Sequence, residues 1–368
     1  MSTNQNNYSK HHYFMKLALF QANIMLGNTR DNPSVGCIIT KNNNVISAGV
    51  TSYNGRPHAE INAIKFSKFD TKNSNIYTTL EPCSHYGKTP PCVKKIISNK
   101  IKRVFFSVKD PDSRSYNKCE NILKKKNVFV SNGLFKSEIK KFYKSYFNYK
   151  NKTLPFVTSK LAISRDFFTI NKTRKKWITN IYSRGRVHLL RSAHDCIITS
   201  SETVLKDNPL LNCRILGLEK RSPSRFILDK NLRISIKSKI LRLNNTSKTT
   251  IFYNKIDKKK IFLLKKLKIK TIKIPLDRNG GLDLISVLKE ISKKGFSRVF
   301  LECGVNLNYQ FFKMNLINDF KLFVSDKKLG NNGLGSFKKD FFVFLKKKRC
   351  KIEKVNLFGD KLITYNIK

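Results

Sequence analysis

The spacing of apolar positions changes along the chain, and each change marks an element. Between Tyr13 and Leu26 the apolar residues are interrupted by Lys16, Gln21 and Asn23, a pattern that predicts an amphipathic helix. Val35–Thr40, Asn44–Val50, Ser74–Thr79 and Arg103–Val108 read as strands, and His58–Phe69 and Cys92–Asn99 as helices. Such alternation predicts an α/β sheet with helices on its faces. From Lys136 to Thr153 the chain is rich in Lys, Tyr and Asn with no strand period, and Leu154-Pro155-Phe156 then opens a strand through Ala162. A boundary is expected near residue 150, dividing the chain into domains 1–150 and 151–368. The second part alternates again, with strands at Cys196–Ser200, Arg225–Leu228, Thr249–Phe252, Lys270–Ile274 and Arg298–Glu302 and a helix at Leu284–Lys294. Lysine runs such as Lys258–Lys260 read as solvated faces or turns.

Composition supports two cores: the chain has 368 residues, is 40% hydrophobic and contains 27 Phe. Lys plus Arg number 74 against 24 Asp plus Glu, a net charge of +50 that raises the question of nucleic acid or an acidic membrane. The excess runs from Lys10 to Lys368, is mostly Lys, and accompanies abundant Asn, Ile and Phe, as a compositional drift would produce. No basic block coincides with a nucleic-acid motif, so neither a specific nucleic-acid partner nor a membrane is expected. The eight irregularly spaced Cys suit a reducing compartment, where thiols serve metals or cores, and a cytoplasmic location is expected. The interrupted Tyr13–Leu26 segment reads as neither a secretory nor a transmembrane segment.

The chemistry concentrates in His58-Ala59-Glu60 and in Cys83 and Cys92, each cysteine preceded by proline. A hydrolytic zinc site needs three N or S ligands and an open position for water, and His58, Cys83 and Cys92 meet that count. His58 and Glu60 fall in one helical turn behind Pro57, so one can hold metal while the other faces its water. Cys83 is expected at a strand end and Cys92 at a helix start, where the helix N-terminus favours the thiolate. Glu60 then serves as general acid/base in hydrolytic deamination. H-x-E followed by P-C-x-x-C is the zinc deaminase pattern. Here eight residues, Ser84–Pro91, separate the cysteines and carry His85, which reads as a substrate contact or loop cap and only secondarily as a rival ligand. Cys37 reads as core.

Together HAE, EPCSHYGKTPPC and NPSVGC resemble the deaminase half of the bifunctional pyrimidine deaminase/reductase family of riboflavin biosynthesis. The similarity continues through Lys160-Leu161-Ala162, Trp177-Ile178-Thr179, Thr203–Leu211 and Glu302-Cys303-Gly304. The resemblance implies a cytidine-deaminase-like three-layer α/β domain with a mixed sheet, followed by a dihydrofolate-reductase-like α/β domain. It implies zinc and NADPH as cofactors and a phosphorylated pyrimidine as substrate. It places Ala162, Trp177, Thr203, Asp207, Lys230 and the segment Gly304, Val305, Asn306, Leu307, Asn308, Tyr309 and Gln310 on the nicotinamide cofactor. Lys175, Arg191, Leu211, Arg214 and Glu302 would hold the substrate.

Three departures fall in the second half. Ser164-Arg165-Asp166-Phe167 stands where the family has Ser-Leu-Asp-Gly, and Lys175 and Lys230 stand where it has serines. Two other readings stay open: a deaminase of nucleic-acid bases, suggested by the charge, and a deaminase with a degenerate reductase domain. A homo-oligomer is compatible with all of them.

Overall fold

The first helix begins well before the apolar repeat that predicts it. In the computed structural model, which describes residues 2–151, 154–172, 177–242, 248–336 and 339–368, α1 runs Ser2–Ile24. The chain forms two compact units, Met1–Thr153 and Leu154–Lys368.

In the first unit α1 is followed by β1 (Gly36–Lys41), β2 (Asn44–Val50), α2 (Ala59–Phe66), β3 (Asn75–Leu80), α3 (Cys92–Ser98) and β4 (Arg103–Val108). Then come α4 (Cys119–Lys124), β5 (Phe129–Asn132), α5 (Lys136–Phe142) and α6 (Lys144–Lys150). The sheet is mixed, in the order β2-β1-β3-β4-β5: β1 is antiparallel to both neighbours, while β3, β4 and β5 are parallel. Two glycines let helices close on opposite faces. A Cβ on Gly36 would overlap the Ala18 carbonyl of α1, and one on Gly49, opposite Cys37, would overlap the Ala59 carbonyl of α2. Met15, Ala18, Cys37, Ile39, Ala63 and Val104 are fully buried in the resulting core.

The second unit contains β6 (Phe156–Ile163), β7 (Phe168–Asn171), α7 (Ile181–Ser192), β8 (Cys196–Ser200), α8 (Ser201–Asp207), β9 (Ser224–Leu228) and α9 (Lys239–Arg242). It continues with β10 (Thr249–Tyr253), α10 (Lys258–Lys266), β11 (Lys270–Lys273), α11 (Leu284–Lys293), β12 (Arg298–Glu302), α12 (Val305–Lys313) and β13 (Asp319–Val324). It ends with β14 (Gly333–Ser336), α13 (Lys339–Lys346), β15 (Cys350–Ile352) and β16 (Lys361–Asn366). Nine strands form one sheet in the order β11-β10-β9-β8-β12-β6-β13-β16-β15, parallel from β11 to β13, with β7 and β14 paired apart from it. Central strands are buried on both faces: Ile198, Val157 and Leu301 pack with α11, and Ile197, Ile227 and Phe300 with Val187 and Leu264. That is why Cys196–Ser200 opens on consecutive apolar residues, Cys196 to Ile198, rather than alternating.

The chain runs outward from β8 to β11 and then returns to insert β12 between β8 and β6. The carboxyl ends of β8, β12 and β6 therefore meet at a topological switch point, where ligands of open α/β sheets bind. Among the described residues no helix is long and apolar enough to cross a membrane.

Candidate functional site

Three chain segments converge in the first unit. His58 is the N-cap of α2, Cys83 follows β3 after Glu81 and Pro82, and Cys92 opens α3. Their ligand atoms lie within 4.8 Å of one another. His58 Nδ1 is 3.3 Å from Cys92 Sγ and 3.5 Å from Cys83 Sγ, and the Cys92 backbone N–H donates to Cys83 Sγ at 3.3 Å. One imidazole nitrogen and two sulfurs at this spacing fit the donor set of zinc.

Glu60 lies in the first turn of α2, only 4% exposed, and burial pushes its carboxyl up to about 7. The two thiols differ from the expectation that a helix start favours a thiolate at Cys92. The hydrogen bond from Cys92 holds Cys83 down, at about 4, whereas the same bond and burial push Cys92 up. Burial would lower His58, but the hydrogen bond to Cys83 and the nearby Glu60 outweigh it, and the net direction is up.

His85 stands outside the ligand set: its Nδ1 is 2.7 Å from the buried Ser115 Oγ, and it lines the same cleft as Glu60. Asp110, Asp112, Arg114, Tyr146 and Lys150 line that cleft too, and none stood out in the sequence. The available signal was topological, since Glu81 and Asp110 lie one and two residues beyond the adjacent parallel strands β3 and β4. Glu81 is buried and accepts backbone N–H groups of Asp110, Asn117 and Cys119, each at 3.2 Å. It fixes the loop that carries Asp110, Asp112, Arg114 and Ser115.

In the second unit, several expected residues gather at the switch point. Ala162 is on β6, Thr203 is bonded to Ser200 at the start of α8, Asp207 ends α8, and Gly304 caps α12 just beyond Glu302. A Cβ on Gly304 would meet nothing within 4 Å, leaving room for a ligand backbone at the helix start. Within the segment that follows, Asn306 and Gln310 are exposed and Val305 half-buried. Leu307 and Asn308 instead turn inward, Asn308 fastening α12 to Ser159 of β6, and the Tyr309 hydroxyl donates to Asp340 at 2.9 Å. Trp177 is 64% exposed with the Arg184 guanidinium 5.2 Å from its ring centre. Lys230 is exposed after β9 and donates to the Gly280 carbonyl at 2.9 Å. Lys175 lies outside the described residues.

Arg191 is buried rather than solvated. Its Nε and Nη2 donate to the two Glu302 oxygens at 2.9 and 2.8 Å, and Nη1 donates to the Asn212 carbonyl at 2.9 Å. Burial alone would raise Glu302, and Arg191 overrides it, holding the carboxylate ionised. Lys160 pairs with Glu302 across β6 and β12, and burial lowers its amine below the ordinary lysine value. Leu211 is buried at φ 49°, and Arg214 is exposed with its Nη1 on Asn212 Oδ1 at 2.9 Å.

Comparison with known proteins agrees along nearly the whole chain. Residues 8–108 match the cytidine and deoxycytidylate deaminase zinc-binding region, and residues 155–364 match the RibD C-terminal domain. The riboflavin biosynthesis protein RibD of Buchnera aphidicola is 34% identical over 87% of this chain and 88% of its own. That of Bacillus amyloliquefaciens is 32% identical over 86% and 85%. The solved structure of Acinetobacter baumannii RibD superposes with a TM-score of 0.84 at 28% identity, covering 98% of this chain and 99% of that one. The deaminase/reductase of Thermotoga maritima does so at 0.83, also at 28% identity and with the same coverage. The chain belongs to the RibD family of riboflavin biosynthesis proteins.

Proposed function

We propose that the chain is a bifunctional enzyme whose first unit deaminates 2,5-diamino-6-ribosylamino-4(3H)-pyrimidinone 5′-phosphate. The second unit reduces the ribosyl group of the product to ribityl with NADPH, giving 5-amino-6-ribitylamino-uracil 5′-phosphate. The observation that carries the reading is the convergence of His58, Cys83 and Cys92 beside the buried carboxyl of Glu60.

His58, Cys83 and Cys92 hold zinc, which supplies the Lewis acidity that brings deprotonation of a water close to neutral pH. Glu60 takes that proton and returns it to the departing amine, so that water replaces ammonia on the ring carbon. The carboxyl, raised by burial to about 7, is suited to both halves of that transfer. His85, oriented by Ser115, lines the same cleft and would contact the substrate.

In the second unit the start of α12 at Gly304 and the Ser200–Thr203 turn receive NADPH, whose contribution is a hydride. Reduction at C1′ would open the sugar, and the freed ring oxygen would need a proton. Lys160, opposite Glu302 in the register of β6 and β12 and with its amine lowered by burial, would give it. Arg191 orients Glu302 through its fork, leaving Arg214 as the exposed guanidinium for the sugar phosphate. The reducing compartment expected from the cysteines fits eight free thiols.

The test is one preparation assayed separately for ammonia release and NADPH oxidation, alongside zinc analysis. Both activities with one zinc per chain are expected. Ammonia without NADPH oxidation would leave a deaminase with a degenerate reductase, and a zinc-free, inactive protein would sink the whole reading.

A further inference from the structure

Asp112, which lines the cleft that holds Glu60, is saturated. Its Oδ1 accepts from the Arg114 backbone N–H at 3.1 Å and from Nε at 2.8 Å. Its Oδ2 accepts from Arg114 Nη2 at 2.7 Å and from Lys150 Nζ at 2.9 Å. A carboxylate offers about four acceptor positions, so Asp112 has none left for a ligand. Its two cations do have donors left. Arg114 Nη1 has no partner among the described residues, and Lys150 commits one of three N–H bonds to Asp112 while its ammonium rests 5.7 Å from the Tyr146 ring centre. Asp112 offsets one of these two cations, and Asp110 on the same loop interacts with both.

The cluster shares its cleft with His58, Glu60 and Cys83 but lies at a different depth. Glu60 is 4% exposed, whereas the Arg114 side chain is 59% exposed. The buried end, with its metal ligands and proton shuttle, suits a neutral ring. The open end, with spare N–H donors on Arg114 and Lys150, suits an anion. The third cation of the cleft, Arg56, belongs to its metal end: its Nη1 donates to Thr89 Oγ1 at 2.5 Å and lies 3.3 Å from His58 Nε2. Asp110, on the same loop as Arg114, accepts at Oδ1 from the Tyr146 hydroxyl at 2.9 Å and from the Asp112 N–H at 3.0 Å.

We propose that Arg114 and Lys150, braced by Asp112, form the subsite for the phosphate of the pyrimidine substrate in the deaminase unit. The proposal rests on the deaminase reading above and assigns its phosphate specificity. Binding there adds charge-assisted hydrogen bonds from Arg114 Nη1 and Lys150 Nζ while Asp112 keeps both side chains at the rim.

Arg114→Gln and Lys150→Gln test this on two substrates, the phosphorylated pyrimidine and the same compound with its phosphate removed. KM for the phosphorylated substrate is expected to rise about tenfold or more in each variant, with kcat within about twofold. KM for the phosphate-free compound stays at the wild-type value, and Arg114→Lys recovers part of the loss. Zinc content and unfolding temperature equal to wild type tie the effect to the subsite, and two independent variants guard against one that fails to fold. Equal rises for both substrates, or no rise for either, would overturn the proposal. Wild-type enzyme that releases no ammonia from either compound would instead overturn the deaminase reading beneath it, before any variant is made.

Discussion

Glu60 is the carboxyl of the cleft that lies in the same helical turn as a metal ligand, whereas Glu81 is spent on loop N–H groups, Asp112 on two cations, and Asp110 accepts at Oδ1 from Tyr146 and the Asp112 N–H. Glu60→Gln keeps the side-chain shape and leaves all three metal ligands. It is expected to retain zinc, measured directly, while slowing ammonia release about a thousandfold, and NADPH oxidation on deaminated product should not change. Turnover near wild type would remove Glu60 from the mechanism. A second residue-scale expectation concerns Phe167, which replaces the family's glycine yet keeps the left-handed backbone, at φ 68°. Its ring, 45% exposed, stacks edge-on against Phe342, which offsets part of the cost of that conformation. Comparing Phe167→Gly with Phe167→Ala removes the ring in both and isolates the backbone. The glycine variant should be the more stable by about 1 kcal/mol in chemical denaturation. Equal stabilities would mean the loop relaxes out of the left-handed region.

At the scale of elements, the Arg191–Glu302 pair ties α7 to the end of β12 inside a half-buried site. Arg191→Ala would strand a carboxylate with only Lys160 beside it, and a cost of about 3 to 5 kcal/mol is expected in unfolding measurements. Loss of hydride transfer with unchanged stability would mean that Arg191 serves the substrate directly. The resemblance places Arg191 on the substrate, and nothing local in the sequence reveals its Glu302 partner more than a hundred residues away. The same limit explains which elements were legible. The strands β1 to β4, α2 and α3 announce themselves by period and by flanking Pro or Gly, and with them His58, Glu60, Cys83 and Cys92. The short α4, α5 and α6 were hidden because polar residues hold most of their positions, and their few buried apolar side chains, such as Leu123, Ile139 and Tyr146, are set by the sheet they cover. Lys150, on that obscured stretch, reaches the cleft only through the fold.

For the molecule as a whole, the open question is what a net charge of +50 does. Proteins that hold single-stranded nucleic acid pair a cationic groove with aromatic rings free to stack on bases. Here the pattern is different, because lysines about one turn along, on or just past the end of the same helix, cover its rings. Lys266 lies 4.8 Å from the Phe262 ring centre, Lys313 5.0 Å from Tyr309, Lys346 4.9 Å from Phe342 and Lys348 4.7 Å from Phe344. Each pair satisfies itself, shielding apolar surface and partly occupying the charge, and the pairs recur along α10, α12 and α13 rather than along one groove. Such a surface attracts polyanions through counterion release alone. Affinity for RNA should therefore be measurable near 0.05 M salt and fall about a thousandfold by 0.2 M, without sequence preference. Deamination of the small pyrimidine should proceed unchanged in saturating RNA at the higher salt. Binding that persists at 0.2 M, or cytosine deamination within an oligonucleotide, would show instead that the charge serves a nucleic-acid substrate.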